Sequence, residues 1–435
     1  MSIKITKEII EKIEGEAQLE LVWGNGRVKD SKVKFFSYRG MEEIIQGRHP
    51  LDALVFTPRV CGICGHAQLM ASVHALEDIY QNCGIKIELS QKAKKIRDLT
   101  LDCEIIQNHL KWYFFIILPI LYKIKGKVFP KSKSFKALNA TIKANKIIAT
   151  FAGQWPHNSY MIPGGIVCDP TYVEIYQAKS YIDEVISFFE EEIVKGDINS
   201  IVHIKNIKEL MDFEGFLKET VNIIQENDLA HLGKAHDRFI AFGENSIFEK
   251  GKAIKTVAKG VHPRYIQEES LDFTYAKNVT YNDRFYEVGP LARAMIASNT
   301  LAKSLHRVYK DSVLNRIVMK VMEIAYLSYQ VRDTLECIDI NEKSFIKPKV
   351  KIETLEGTGN GFAEAARGSL YHSIKIKEGK IDLYNIITPT QWNLGNSTKS
   401  EELSTIQQAL LGLRNENEIS LIFRSFDECS VCTTH

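Results

Sequence analysis

The residues richest in chemistry sit at the two ends of the chain. RVCGICGHAQ carries Cys61 and Cys64 two residues apart, and the terminal DECSVCTTH repeats that gap in Cys429 and Cys432 before closing on His435. Chain ends usually fray and seldom hold chemistry, so two thiols and an imidazole at a terminus need a reason. A lone CxxC is compatible with a redox dithiol, half a metal site, or coincidence. Two pairs supply four thiolates, a complete set for zinc, an iron–sulfur cluster or nickel. Structural zinc tends to serve small domains that need metal to fold. This chain has 435 residues, 45% of them hydrophobic, and so has a core of its own to fold around. Residue types alone leave these chemistries open.

The other cysteines, Cys83, Cys103, Cys168 and Cys337, stand singly and read as buried, inert thiols. Eight cysteines in a chain this long are too few for a disulfide scaffold. The net charge is only +2, from 56 basic and 54 acidic residues, which argues against a dedicated nucleic-acid binder. MSIKITKEIIEKIEGE has no apolar signal core and no twin arginine. The oiliest stretch, WYFFIILPILY, contains a proline and is too short to span a bilayer, so it reads as a buried helix end or core segment. These features predict a cytoplasmic chain, associated with a membrane only through partners.

The elements that must position the thiols follow from periodicity. AQLELVWGNGRVKDSKVKFF reads as two short strands around a Gly-Asn-Gly turn. AQLMASVHALEDIYQNCG has helical spacing and ends at glycine, placing Cys61 and Cys64 on the turn into a helix. Free N–H groups at that helix start would favour thiolate. Further helices are expected at about 90–120, 172–192, 203–227 and 292–338, the last without glycine or proline to break it. Glycine-rich turns and strands fill 350–395, and QQALLGLRNENEISLIFRSFDECSVC suggests a helix and a closing loop. The expectation is an α+β fold, one domain over 1–435. A central bundle of long helices would be flanked by strand- and loop-rich ends that could meet beside it.

Motifs in order along the chain then narrow the chemistry. They are KIEGEAQLE, YRGMEEIIQGRHPLDA, RVCGICGHAQLMASVHALE, GQWPHNSYMIPGGI, YEVGPLARAM, AARGSLYH, ITPTQWN and SFDECSVCTTH. With them the sequence resembles the large, catalytic subunit of nickel–iron hydrogenases over essentially its whole length. The related large subunit of respiratory complex I lacks the full cysteine set, whereas all four are present here. The resemblance implies nickel held by four thiolates, with Cys61 and Cys429 terminal and Cys64 and Cys432 bridging to iron. That iron would carry two cyanides and one carbonyl, Fe(CN)2(CO), installed by maturation factors. Soft thiolates suit an electron-rich nickel.

The same resemblance assigns roles around the centre. Glu14 matches the glutamate that relays protons, as heterolytic cleavage of H2 requires a base. Arg367, in AARG, matches the arginine beside the open side of the iron, its fixed fork of donors suited to a cyanide nitrogen. Thr390 matches the hydroxyl that donates to the second cyanide. Glu42, the carbonyl of Ile386 and His435 match the ligands of a magnesium ion, a hard cation that suits oxygen donors. A carboxyl-terminal protease cuts after that histidine in the family, so the sequence looks like a mature product. The sequence also departs from the family at several points. Glu16 stands where a histidine is usual, Ala366 replaces a proline before Arg367, and Glu428 replaces the proline of DPCxxC. Gln68 stands where many members have a histidine that bonds a bridging sulfur, as in the cytosolic uptake and hydrogen-sensing branch. An amide there can donate but cannot titrate, and His66 lies two residues too early to substitute. The resemblance implies H2 as substrate, oxidised reversibly and in the uptake direction, with a hydrogen sensor of low turnover as the alternative. It also implies an iron–sulfur small subunit as partner, through which a membrane or carrier protein could be reached.

Overall fold

The computed structural model describes residues 4–11, 17–243, 252–254, 261–397 and 402–429. Glu14, Glu16, Cys432 and His435 lie outside these residues. The expected hairpin is present and gains a third strand. β1 (Lys4–Glu11), β2 (Ala17–Gly24) and β3 (Arg27–Phe35) form an antiparallel meander in that order. Asn25 and Gly26 both take positive φ, 56° and 70°, as the tight two-residue turn between right-twisted strands requires. Ala17, Leu19 and Leu21 alternate inward and bury one face.

A second meander carries the glycine-rich region. β4 (Gly357–Ala365), β5 (Gly368–Lys377) and β6 (Lys380–Ile387) are again antiparallel in sequence order. α1 (Gly65–Asn82), the helix that follows the first CxxC, lies flush on β4. A Cβ at Gly361 would stand 1.9 Å from the Ala71 carbonyl oxygen, and one at Gly359 2.0 Å from that of Ala75. The alternating glycines of GTGNG therefore set how closely strand and helix approach.

The helical centre is α2 (Gln91–Trp112), α3 (Lys131–Ala152) and α4 (Tyr172–Phe188), joined later by α5 (Pro290–Ile296), α6 (Thr300–Tyr309) and α7 (Val313–Glu336). α2 opens on Ser90, whose hydroxyl accepts the Ala93 N–H, and α4 on a full capping box between Thr171 and Glu174. WYFFIILPILY is the buried end of the α2 column, passing through a π turn at Tyr113–Ile117 into a short helix that contains Pro119. No described helix is long and apolar enough to cross a membrane.

Two expectations change, and one long helix is additional. The continuous helix expected over 292–338 is three helices, parted without glycine or proline. Ser298 and Lys310 take left-handed φ, and Asn299 and Ser312 start the next helices, Asn299 by accepting the Ala302 N–H. The 203–227 helix divides into Ile207–Met211 and Phe216–Glu226, with Gly215 at φ 105° before the second. α3 was not foreseen, because its buried stripe begins with the small residues Ala137, Ala140, Thr141 and Ala144, which give periodicity little contrast. The architecture is nonetheless the expected α+β one, with a large continuous core among the helices.

Candidate metal centre

The first CxxC is held by its own backbone and its neighbours. The N–H groups of Ile63 and Cys64 point at the Cys61 sulfur, at 3.2 and 3.4 Å, and such donors favour thiolate. Gly65 opens α1 only 2.4 Å, measured from a virtual Cβ, from the Pro58 carbonyl oxygen, so a side chain there would displace the turn. The first N–H groups of α1 are not free as expected. Those of His66 and Ala67 are accepted by the buried carboxylate of Glu104 on α2, at 2.9 and 3.0 Å. Thiolate support thus comes from the loop, while Glu104 ties the helix start to the bundle. Burial pushes the Glu104 carboxyl up to about 8 against the pull of those two donors.

The GQWPHNSY segment wraps the same turn. His157 Nδ1 meets the Pro58 carbonyl at 2.9 Å, and Asn158 Nδ2 meets His66 Nδ1 at 3.2 Å. Burial drives the His66 pKa down to about 3, so this ring is neutral. His66 also engages Thr100 at 2.8 Å, in keeping with a packing role.

From far along the sequence, the loop after residue 425 delivers Cys429 to this turn. Its sulfur lies 3.7 Å from that of Cys61. The ligand atoms of Cys61, Cys64 and Cys429 all lie within 4.8 Å of one another, and all three residues are buried. The Cys429 N–H donates to Thr390 Oγ1 at 3.2 Å. Thr390 sits on α8 (Pro389–Asn393), whose start is fixed by a capping box of Thr388 and Gln391. With its oxygen accepting from Cys429, the hydroxyl keeps its own hydrogen for donation, as its expected role requires.

α9 (Glu416–Ser425) ends just before the second motif. Glu428, in place of proline, is ion-paired with Arg424 one helical turn earlier, so its added charge is compensated. Asp427 is a hub. Its carboxylate accepts from Asn108 at 2.8 Å, pairs with Lys320, and lies 3.4 Å from Arg367 Nε. Burial alone would raise its pKa, yet the charges of Arg367 and Lys320 and the bonds from Lys320 and Asn108 hold it at about 2. Burial lowers the Lys320 pKa to about 8 in spite of Asp427.

Arg367 occupies the corner between β4 and β5, where Ala365 pairs with Gly368. The missing proline at Ala366 is answered by Arg293 of α5, which donates to the carbonyls of Ala365 at 2.8 Å and Ala366 at 3.4 Å. Arg293 is itself gripped by Glu323 at 2.7 Å through two nitrogens, and His109 bonds the same carboxylate at 2.7 Å. Sequence reasoning missed Arg293, Lys320 and Glu323. The signal was there: Lys320 and Glu323 are isolated charges one turn apart in the apolar run IVMKVMEIAY, and such charges need partners when buried.

Gln68 lies one turn beyond Cys64 on α1. Its Oε1 accepts from His372 Nε2 at 2.7 Å, while its Nε2 is buried with no acceptor among the described residues. A thiolate-bound group is the kind of acceptor such an orphaned donor fits. Together with the buried soft donors, this makes the site suited to a thiolate-held metal centre.

Glu42 and Ile386 are neighbours, as expected. Glu42 Oε1 accepts the Ile386 N–H at 2.7 Å, and in an extended strand the carbonyl points to the same side. Both Glu42 oxygens also meet the Lys277 ammonium, at 2.9 and 3.0 Å, which Asn385 Oδ1 holds at 2.7 Å and Glu268 approaches at 3.3 Å. Oxygen donors therefore converge here on a cation that the chain supplies.

The single cysteines divide. Cys103 is buried, with its thiol pushed up by burial, and Cys168 is half-buried and pushed up to about 12. Cys83 and Cys337 are exposed, contrary to expectation, because each lies just past the last residue of a long helix.

The family model described as nickel-dependent hydrogenase matches residues 39–118 and 128–435. The chain is 23% identical to the periplasmic [NiFeSe] hydrogenase large subunit of Desulfomicrobium baculatum, over 100% of this chain and 95% of that protein. It is 25% identical to sulfhydrogenase 2 subunit alpha of Pyrococcus furiosus, covering 98% and 97%. Its fold matches the reduced Ni-Fe-Se hydrogenase from D. vulgaris Hildenborough with a TM-score of 0.81, at 22% identity and with both chains fully covered.

Proposed function

The chain belongs to the nickel-dependent hydrogenase family, and from that premise we propose that it is the large subunit of an H2-oxidising enzyme working in the uptake direction. The observation that carries this is the convergence of Cys61, Cys64 and Cys429 within 4.8 Å in a buried site. With Cys432 they would hold a nickel–iron centre whose iron bears cyanide and carbonyl ligands. When bound, that centre supplies heterolytic cleavage of H2.

The chain's own groups would do the rest. Thr390 and the Gln68 amide present hydrogen-bond donors, and Arg367, set at its corner by Arg293 and Asp427, presents a fixed positive fork. Glu14 would take the released proton on a carboxylate oxygen and pass it toward water. Glu42, the Ile386 carbonyl and His435 are the proposed magnesium ligands; the adjacency of the first two supports this, and the Lys277 ammonium, which meets both Glu42 oxygens, would have to give way to the ion. Among the described residues there is no second cysteine cluster to relay electrons, which supports an iron–sulfur small subunit as partner. A cytoplasmic place, reached by a membrane or carrier only through that partner, completes the reading. Gln68 also favours a second reading, a hydrogen sensor with the same centre and low turnover.

The test uses the complex purified with its small subunit, with H2-dependent reduction of an artificial acceptor and H/D exchange measured on the same samples. Wild type should turn over steadily. Near-zero acceptor reduction with H/D exchange intact would favour the sensor. Glu14→Gln keeps shape but cannot accept and release a proton near neutral pH, so it should load nickel and iron fully and lose most turnover. Glu16→Gln should remain near normal. Near-normal turnover in Glu14→Gln would move the proton exit elsewhere.

A further inference from the structure

The amide of Gln68 can face the thiols in two ways, carbonyl or NH2 first, and the choice lies in residues remote in sequence. Gln68 lies one turn into α1, and its N–H donates to the carbonyl of Cys64, the residue that caps the helix, at 3.3 Å. Behind Gln68, away from its orphaned Nε2, stands His372 of β5, fully buried and 2.7 Å from Gln68 Oε1 through its Nε2. The other ring nitrogen, Nδ1, meets Tyr384 Oη of β6 at 2.8 Å and Ser72 Oγ of α1 at 3.1 Å. Ser72 and Tyr384 are 2.7 Å apart. Ser72 is also 2.7 Å from Thr57 Oγ1, which donates to the Ala53 carbonyl at 2.8 Å.

The directions follow from the Gln68 end. Gln68 Oε1 can only accept, so the hydrogen between it and His372 sits on Nε2 and leaves Nδ1 as an acceptor. Thr57 gives its one hydroxyl hydrogen to Ala53, so the hydrogen between Thr57 and Ser72 comes from Ser72. The Tyr384 hydroxyl then supplies the hydrogen that His372 Nδ1 and Ser72 Oγ accept. The NH2 group is left to face away from β5. A free Gln side chain would sample both orientations, whereas here one is imposed.

We propose that His372, fixed by Tyr384 and Ser72, is a positioning residue that locks the Gln68 amide with its NH2 turned toward the thiol cluster. An imidazole thus acts on the centre through an amide rather than directly. This rests on the reading that the cysteines hold a nickel–iron centre.

The test is a double-mutant cycle on the complex with its small subunit, read by nickel content and by the positions of the carbonyl and cyanide infrared bands. Gln68→Leu should shift the bands with nickel retained, and His372→Phe should shift them in the same direction. Combined, the two should shift them no further than Gln68→Leu alone. His372→Gln, which restores an N–H donor of similar reach, should bring the bands back toward wild type. Tyr384→Phe, which leaves the imidazole but frees Nδ1, should give a smaller shift of the same sign, and it decides the matter if His372→Phe takes up no nickel. Bands unmoved by His372→Phe or Tyr384→Phe while Gln68→Leu moves them would overturn the proposal. So would an equal His372→Phe shift in the Gln68→Leu background. A wild-type complex without nickel or these bands would instead sink the underlying reading.

Discussion

Glu104 is pulled two ways. Two N–H donors at the start of α1 favour its charged form, and complete burial opposes it, leaving the carboxyl at about 8. An acid raised above its ordinary value of 4.5 binds a proton in the folded chain that the unfolded chain has lost. Its contribution to stability is therefore fully present below about pH 4.5 and declines as pH rises through about 8, each pKa unit of difference being worth about 1.4 kcal/mol. Glu104→Gln, neutral at every pH and still a carbonyl acceptor, should flatten the fall in melting temperature between pH 5 and 8. Thermal scans of both proteins across that range check it, and equal slopes would refute it. Glu104 was invisible in the sequence, because only the fold sets α2 beside the CxxC turn. By contrast Cys61, Cys64, Cys429, Thr390 and the neighbouring pair Glu42 and Ile386 were legible from motif context. What motif context did not show is who holds them: Arg293, Lys320 and His372 act on residues far away in sequence.

At the scale of elements, the site depends on how α1 and β4 meet. One follows directly on the turn that carries the first two thiols, and the other runs into the corner at Arg367. Gly359 and Gly361 allow backbone to touch backbone, and a methyl at Gly361 would fall 1.9 Å from a carbonyl oxygen. Gly361→Ala should force the two apart, costing about 1–3 kcal/mol as overpacking does. It should also reduce nickel occupancy by separating the CxxC turn from Arg367. Melting temperature and nickel per chain measured together check this, and an unchanged nickel content would show that the contact does not register the site. Strands with alternating apolar residues and the Asn-Gly turn could be read in advance. Helix breaks at Ser298 and Lys310 could not, since caps and left-handed turns made by ordinary residues leave little trace in composition.

For the whole molecule, the central fact is that segments far apart in the sequence close on each other. Cys61 and Cys429 are 368 positions apart in sequence and 3.7 Å apart in space. The bundle between them makes that closure specific through buried pairs that tie α7 to the last loop, Lys320 to Asp427 foremost. Buried charges of this kind strongly destabilise a fold when left unpaired, so the last loop is held where α7 dictates. The decisive measurement is nickel per large-subunit chain in the complex purified with its small subunit, by elemental analysis with zinc determined on the same sample. The account predicts about one nickel per chain and little zinc, and stoichiometric zinc with no nickel would contradict it.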